Sequence, residues 1–566
     1  MNVVHRYLGE SLAVSDAAST RLGFVPDALR APTYFTGTVA RHLPFREAIS
    51  ALHHVVVSDL RFKPKDRTAY RAWLESHERQ LLAEALGEND AIRAEIDALG
   101  AELRDIDRQT TKMLSPYYTA QRHYFSHLYK ENFDAWQVLD PVITVHPDEI
   151  FFECFSLDES SYGRLSCDHD TFERVGAMAC GTTNIDYSHA LHDEFQKIRS
   201  DRDTELSIDP SGFEVQTGGA AAYREDKIEL PDSWMRGFLQ VSSAMAQPAF
   251  TVDLHPVDMH AILTRLGARR ERHGPRSLRF LLEPDRPVSV LIEPWNERLT
   301  FRRSIYRGPT GAEIRLWGRR RLAILARALP LAKSVRLHLL GTGMPAFAVV
   351  DYGGLRFTLG LSGWTANDWS RAGQFDLLAP RTEVDGDTAA RVFAALGRRH
   401  FASAEVLATD TGLTRATVEA ALGGYVQAGR AMFDLDKRVF RLRELTREPL
   451  DAGALRFASE QEAKADRFLA ARLVGLDPVR HADGLLWLSG TVLDDGTMLR
   501  PTVEIDADDR MVGGACGCGF YRRNRLMRGP CEHMLALRRL FHGQVEGKGQ
   551  FEGKGQFEGK PMRPQA

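Results

Sequence analysis

No apolar window approaches the roughly eighteen residues that a membrane-spanning helix needs. The opening residues, MNVVHRYLGES, lack a basic stretch followed by an apolar run, so no secretory signal is expected. Six cysteines in 566 residues are too few for a disulfide framework. Charge of one sign is missing too. The 73 Lys and Arg nearly balance the 76 Asp and Glu, leaving −3, so attraction to nucleic acid or lipid must be local. No GxSxG, HExxH or kinase signature occurs. The Gly-Lys pairs of the tail do not fit GxxxxGK[ST], because Lys554 precedes Gly and Lys560 precedes Pro. These absences point to a non-enzymatic, cytoplasmic protein of a reducing compartment.

What the chain does have is ordinary globular material, 43% apolar and 26% charged, enough for several cores. The expected fold class is multidomain α+β, in five parts. Residues 1–140 read as a helical region. In it Ile92, Ile96, Leu99, Leu103, Ile106, Thr110 and Met113 form a heptad-like seam, and an aromatic-rich helix follows, the pattern of a helical hairpin. Residues 141–375 carry short β-like runs, among them Glu149–Phe155, Ser334–Leu340 and Leu355–Leu359. Their order repeats as strands, a helix and a strand pair, the helices expected at Tyr187–Ile198 and Arg319–Leu329, which suggests a duplicated α+β unit. Residues 387–445 read helix, helix, turn, helix, hairpin, the order of a winged helix, with Ser403 and Thr414 as N-caps. Residues 446–545 form a last domain, with a helix capped by Ser459 and a hairpin turning at Asp495-Gly496. The tail, 546–566, repeats EGKGQF and reads as low-complexity and disordered.

Half of the cysteines fall in CGCGFYRRNRLMRGPCEH, residues 516–533. The spacing C-x-C-x12-C-x-H offers Cys516, Cys518, Cys531 and His533, three thiolates and one imidazole, a full tetrahedral set for Zn2+. Two cysteines two apart at a strand end project the same way, and Gly529-Pro530 stops the loop before a helix carrying the other two ligands. Sulfur ligands favour zinc over calcium or magnesium. A filled shell leaves no place for water, so the expected role is structural.

This motif after a β-hairpin resembles the SWIM zinc finger, and the surrounding CGCGFYRRNRLMRGPCEHMLALRRL is similar to bacterial SWIM zinc-finger family proteins. The stretches at 340–380 and 180–199 also resemble that larger family. The resemblance implies nucleic-acid or protein interaction. It also implies company with MoxR-type AAA+ ATPases and von Willebrand A proteins as possible partners.

Charge around the motif sharpens the question. Between Met511 and His542 stand six arginines and one glutamate, with Arg522, Arg523, Arg525 and Arg528 in the ligand loop. Guanidinium groups suit phosphate oxygens, and Tyr521 offers a stacking face. An acidic protein surface would serve equally, as would acidic neighbours such as Asp506, Asp508 and Asp509. In the winged-helix stretch, Arg415, Thr417, Lys437 and Arg438 are the candidate nucleic-acid contacts, though a helix carrying Glu419 and several alanines is poorly made for reading bases. Cys154, Cys167, His169 and Cys180 mimic a second metal set, but Cys154 sits in FFECFSL, a buried-strand pattern.

Overall fold

The computed structural model describes residues 12–15, 19–24, 33–58, 101, 141–184, 195–201, 203–208, 232–269, 274–363, 369, 384–445, 459–482, 484–507, 511–526 and 529–549. The chain divides into two compact units, residues 1–58 with 139–566, and residues 59–138. All seven residues of the heptad seam fall in the second unit and lie outside the described residues; Ala101, between two of them, is described and is helical.

The largest element of the first unit is an eight-stranded antiparallel sheet. Four strands come from the earlier stretch: Val142–Val145, Glu149–Phe155, Ser161–Asp168 and Gly181–Asn184. Four come from the later one: Phe250–Leu254, Ser334–Leu339, Ala346–Asp351 and Leu355–Leu361. The two sets meet in the middle, where Leu355–Leu361 pairs with Ser161–Asp168, Phe357 opposite Leu165. Strand Glu149–Phe155 is buried at every position; its apolar residues fit that burial, and its two glutamates, Glu149 and Glu153, are buried as ion-pair partners. Helix His42–Val56 covers the sheet with Phe45, Ile49, Leu52 and Val56, spaced for one helix face. Its approach depends on Gly163, where a Cβ would lie 2.9 Å from Val55 Cγ2.

The helical reading of residues 1–140 fails before that helix. Strands Leu12–Ser15, Ser19–Phe24 and Phe35–Val39 join Asp203–Ile208 and Phe172–Val175 in a five-stranded sheet. The signal was the period-2 burial of Phe35, Gly37 and Val39. A four-stranded antiparallel sheet is built from Leu278–Leu282, Pro287–Ile292, Glu297–Ile305 and Ala312–Leu316. The helix expected over Arg319–Leu329 is a 3-10 turn at Arg319–Ile324 followed by a short α-helix at Leu325–Ala328. The helix expected at Tyr187–Ile198 lies mostly outside the described residues.

Residues 386–442 form three helices, Gly386–Arg399, Ala404–Thr411 and Arg415–Gln427, with a three-stranded sheet of Phe401–Ala402, Ala431–Asp434 and Val439–Leu442. Ser403 and Thr414 cap as expected, accepting from the N–H groups of Val406 and Thr417. Val392, Leu396, Leu407, Val418 and Leu422 are the core. The hairpin of this module docks on the eight-stranded sheet through buried ion pairs. Arg164 reaches Glu149 at 2.6 Å and Asp434 at 3.0 Å; Arg441 reaches Asp434 at 2.8 Å and Asp148 at 2.9 Å; Arg443 reaches Glu153 at 2.8 Å.

The last domain opens with helix Glu460–Ala470, capped by Ser459, and folds a six-stranded antiparallel sheet. Its long strand is Leu485–Asp494, which turns through Asp495 and Gly496, both at positive φ, into Thr497–Leu499. Strands Thr502–Ile505 and Met511–Ala515 follow, then helices Gly519–Asn524 and Glu532–Gly549. Met534 and Leu537 anchor the first turns of the final helix in the core, and the helix runs to Gly549, past the expected domain end at 545 and into the first residues of the tail expected to be disordered. None of the described helices is long and apolar enough to cross a membrane.

Candidate metal centre and basic loop

Sheet, loop and helix each deliver part of one cluster. Cys516 follows the edge strand Met511–Ala515. That strand lies against the last helix at Gly514, where a Cβ would come 2.4 Å from Met534 Cε and from the Thr502 carbonyl. Cys518 is the N-cap of helix Gly519–Asn524, and its sulfur accepts from the Tyr521 N–H at 3.4 Å. Cys531 and His533 stand at the start of the final helix, and both are fully buried. One donor atom from each of the four residues lies within 4.8 Å of all the others. The chain is thus a multidomain α+β protein whose C-terminal domain is organised around a buried Cys3His cluster able to hold a metal ion.

The four donors perturb one another strongly. A hydrogen bond from Cys531, helped by the neighbouring His533 ring, pulls the Cys516 thiol down to about 4, against the opposing effect of burial. Cys531, the donor of that bond, is pushed up. Burial pushes Cys518 up as well. Burial opposes charge on His533, but Cys516 and Asp494 outweigh it and raise its pKa. Thiols so close that they share protons can instead share a cation, since the thiolate is the ligand form. The donor chemistry fits: three sulfurs and an imidazole, with Nδ1 of His533 buried and lacking a hydrogen-bond partner.

Sequence reasoning missed the supporting shell. Asp494, the residue before the Asp495-Gly496 turn, places Oδ2 3.0 Å from His533 Nε2. Phe468 stacks on the same ring at 5.3 Å. The hairpin turn was the signal available for Asp494, because it fixes where that strand ends.

The expected polyanion contacts divide into two groups. Arg522, Arg523 and Arg525 are exposed on the ligand loop; the side chain of Arg528 is outside the described residues. Arg525 lies over the Tyr521 ring at 5.5 Å, and the Tyr521 hydroxyl donates to the Gly514 carbonyl at 2.8 Å. Tyr521 is therefore a core residue of the domain, not the open stacking face expected of it. In the three-helix module, Lys437 is spent internally, 2.9, 2.8 and 2.9 Å from Asp148, Glu149 and Asp168. This corrects its placement on a phosphate-binding wing. Arg415 pairs with Glu405 at 2.6 Å and Glu419 at 2.7 Å, and the Thr417 hydroxyl bonds that of Thr414 at 2.8 Å. Arg438 occupies the turn of the hairpin at φ 55. Among the described residues, Cys154, Cys167, His169 and Cys180 form no metal-sized group; Cys154 and Cys167 are buried strand residues whose thiols burial pushes up.

No protein-family model matches the chain, and no curated protein matches it. Among solved structures it is similar to the proliferating cellular nuclear antigen of Entamoeba histolytica, at 12% identity and a TM-score of 0.28, over 40% of this chain and 89% of that one. It is also similar to A. fulgidus PCNA bound to the C-terminal region of FEN-1, at 12% identity and a TM-score of 0.29, over 41% of this chain and 91% of that one. Likeness at these scores bears on neither fold nor function.

Proposed function

We propose that the C-terminal domain is a SWIM-type zinc finger and that the protein is a non-enzymatic nucleic-acid-binding or sensing subunit. Cys516, Cys518, Cys531 and His533 hold one structural zinc, which fixes the loop between the second and third cysteines. Through Arg522, Arg523 and Arg525, that loop presents cations toward solvent beside a rigid core. The observation that carries the reading is the buried cluster of four donors within 4.8 Å beneath exposed arginines. Bound zinc polarises and anchors its thiolates; with four protein ligands it has no open position for chemistry. The arginines supply phosphate contacts that carry little sequence information.

A salt-titrated binding assay with DNA and RNA oligonucleotides on the full chain tests the nucleic-acid part. Affinity falls steeply as ionic strength rises. Reversing Arg522, Arg523 and Arg525 to Glu lowers retention by at least about tenfold and flattens the salt slope. Unchanged retention contradicts the reading.

A second reading, an adaptor of a MoxR-type ATPase and von Willebrand A system, is favoured by one observation. The winged-helix-like module commits Lys437 and Arg415 to carboxylates of its own chain, which suits a scaffold better than a DNA reader. In this reading the two halves of the eight-stranded sheet are a duplicated unit that supports the module.

A further inference from the structure

A histidine ligand needs the correct nitrogen free and the ring held still. Neutral imidazole carries one N–H and one lone pair, so whatever accepts from one nitrogen decides which nitrogen can bind a metal. At His533, Asp494 Oδ2 lies 3.0 Å from Nε2. An ionised carboxylate only accepts, so the hydrogen resides on Nε2. Nδ1 is left buried and without a hydrogen-bond partner. Phe468, tilted 23° from the imidazole at 5.3 Å, packs against the ring face and blocks its rotation.

We infer that Asp494 is the positioning residue of the metal centre: it holds His533 as the Nε2–H tautomer and aims Nδ1 at the three sulfurs. Nothing in the C-x-C-x12-C-x-H spacing encodes it. Asp494 stands at the end of strand Leu485–Asp494, 39 residues before the histidine. Its position follows from the hairpin, since Asp494 is the last residue of its strand, paired with Thr497 across the Asp495-Gly496 turn. Carboxylate partners of this kind also raise the basicity of the ligand, and their loss weakens metal binding by about 10–100-fold.

The inference rests on the zinc-finger reading, and the experiment separates the two. Zinc affinity of the full chain is measured by competition with a chromophoric chelator, for the wild type, Asp494→Ala, Asp494→Asn and the surface control Glu419→Gln in the three-helix module. Expected results are one zinc in the wild type and the control at equal affinity, about 10–100-fold weaker binding in Asp494→Ala, and a smaller loss in Asp494→Asn, whose amide oxygen still accepts from Nε2–H. Cobalt(II) substitution gives a second readout, with the absorption bands of the sulfur–nitrogen site shifted in the alanine variant. If Asp494→Ala does not fold, Asp494→Asn carries the test and must lose affinity by several-fold. Wild-type affinity and an unshifted cobalt spectrum in the Asp494 variants overturn the inference. A wild type that takes up no zinc overturns the finger reading instead.

Discussion

The three-helix module and the C-terminal domain both use charge, and they use it in opposite ways. The module turns its cations inward. Arg441 and Arg443 are fully buried, and Lys437 is enclosed by three carboxylates. The C-terminal domain buries its sulfur and imidazole groups and leaves Arg522, Arg523 and Arg525 outside. Counting basic residues by sequence treats the two regions alike. Pairing distinguishes them, because a buried guanidinium that lost its carboxylate would carry a desolvation cost of several kcal/mol. An exposed one on a fixed loop remains available to an outside anion.

The sharpest way to break that contrast is to deny the Cys3His cluster the metal proposed for it. Replacing Cys518 by Ser, or treating the protein with a strong chelator, is expected to unfold residues 459–549 locally while the eight-stranded sheet persists. Structural zinc is worth roughly 10–16 kcal/mol in small zinc-binding peptides. Hydrogen exchange resolved along the chain would show protection lost in that segment alone. In the module, Arg443→Ala leaves Glu153 buried beside the Tyr162 hydroxyl, which donates to it at 2.7 Å. A loss of about 3–5 kcal/mol is expected in denaturant unfolding.

Acid sharpens the same comparison. Asp168 is held down at about 2; burial opposes this, and hydrogen bonds and charge from Arg356 and then Lys437 outweigh it. Asp434 is held lower still by Arg164 and Arg441, again against burial. Carboxylates with depressed folded-state pKa values contribute stability that is complete above about 4 and lost as pH falls toward 2. Docking of the module should therefore be intact at about pH 4 and weaken progressively as pH falls toward 2, while thiolate–metal bonds yield to protons independently of these carboxylates. An acid titration followed by fluorescence and by zinc release separates the two events. The smallest expected effect is at the module surface. Breaking the exposed Arg415–Glu419 pair with Glu419→Gln changes stability by no more than about 0.5 kcal/mol in thermal unfolding.

How much of this was legible depended on how local the signal was. Strands such as Glu149–Phe155 and Leu278–Leu282 announce themselves by apolar runs, and the caps Ser403, Thr414 and Ser459 by hydroxyls at helix starts. The ligand set was legible because four donors crowd into eighteen positions. Strand Ser161–Asp168 was not, since its Arg164 is stabilised by Glu149 and by Asp434, 270 residues away. Lys437 looked like a surface cation for the same reason: its partners Asp148 and Asp168 stand 289 and 269 residues earlier. Asp494 is a ligand's partner through a turn and a helix that only the fold brings together. Sequence spacing reports neighbours along the chain; the chemistry of burial is decided by neighbours across it.

One measurement bears most directly on the account: metal content of the purified full-length protein by elemental analysis, beside the Cys518→Ser variant. The account predicts one zinc per chain in the wild type and loss of most of it in the variant. A wild type without zinc, or a variant that retains it fully, would contradict it.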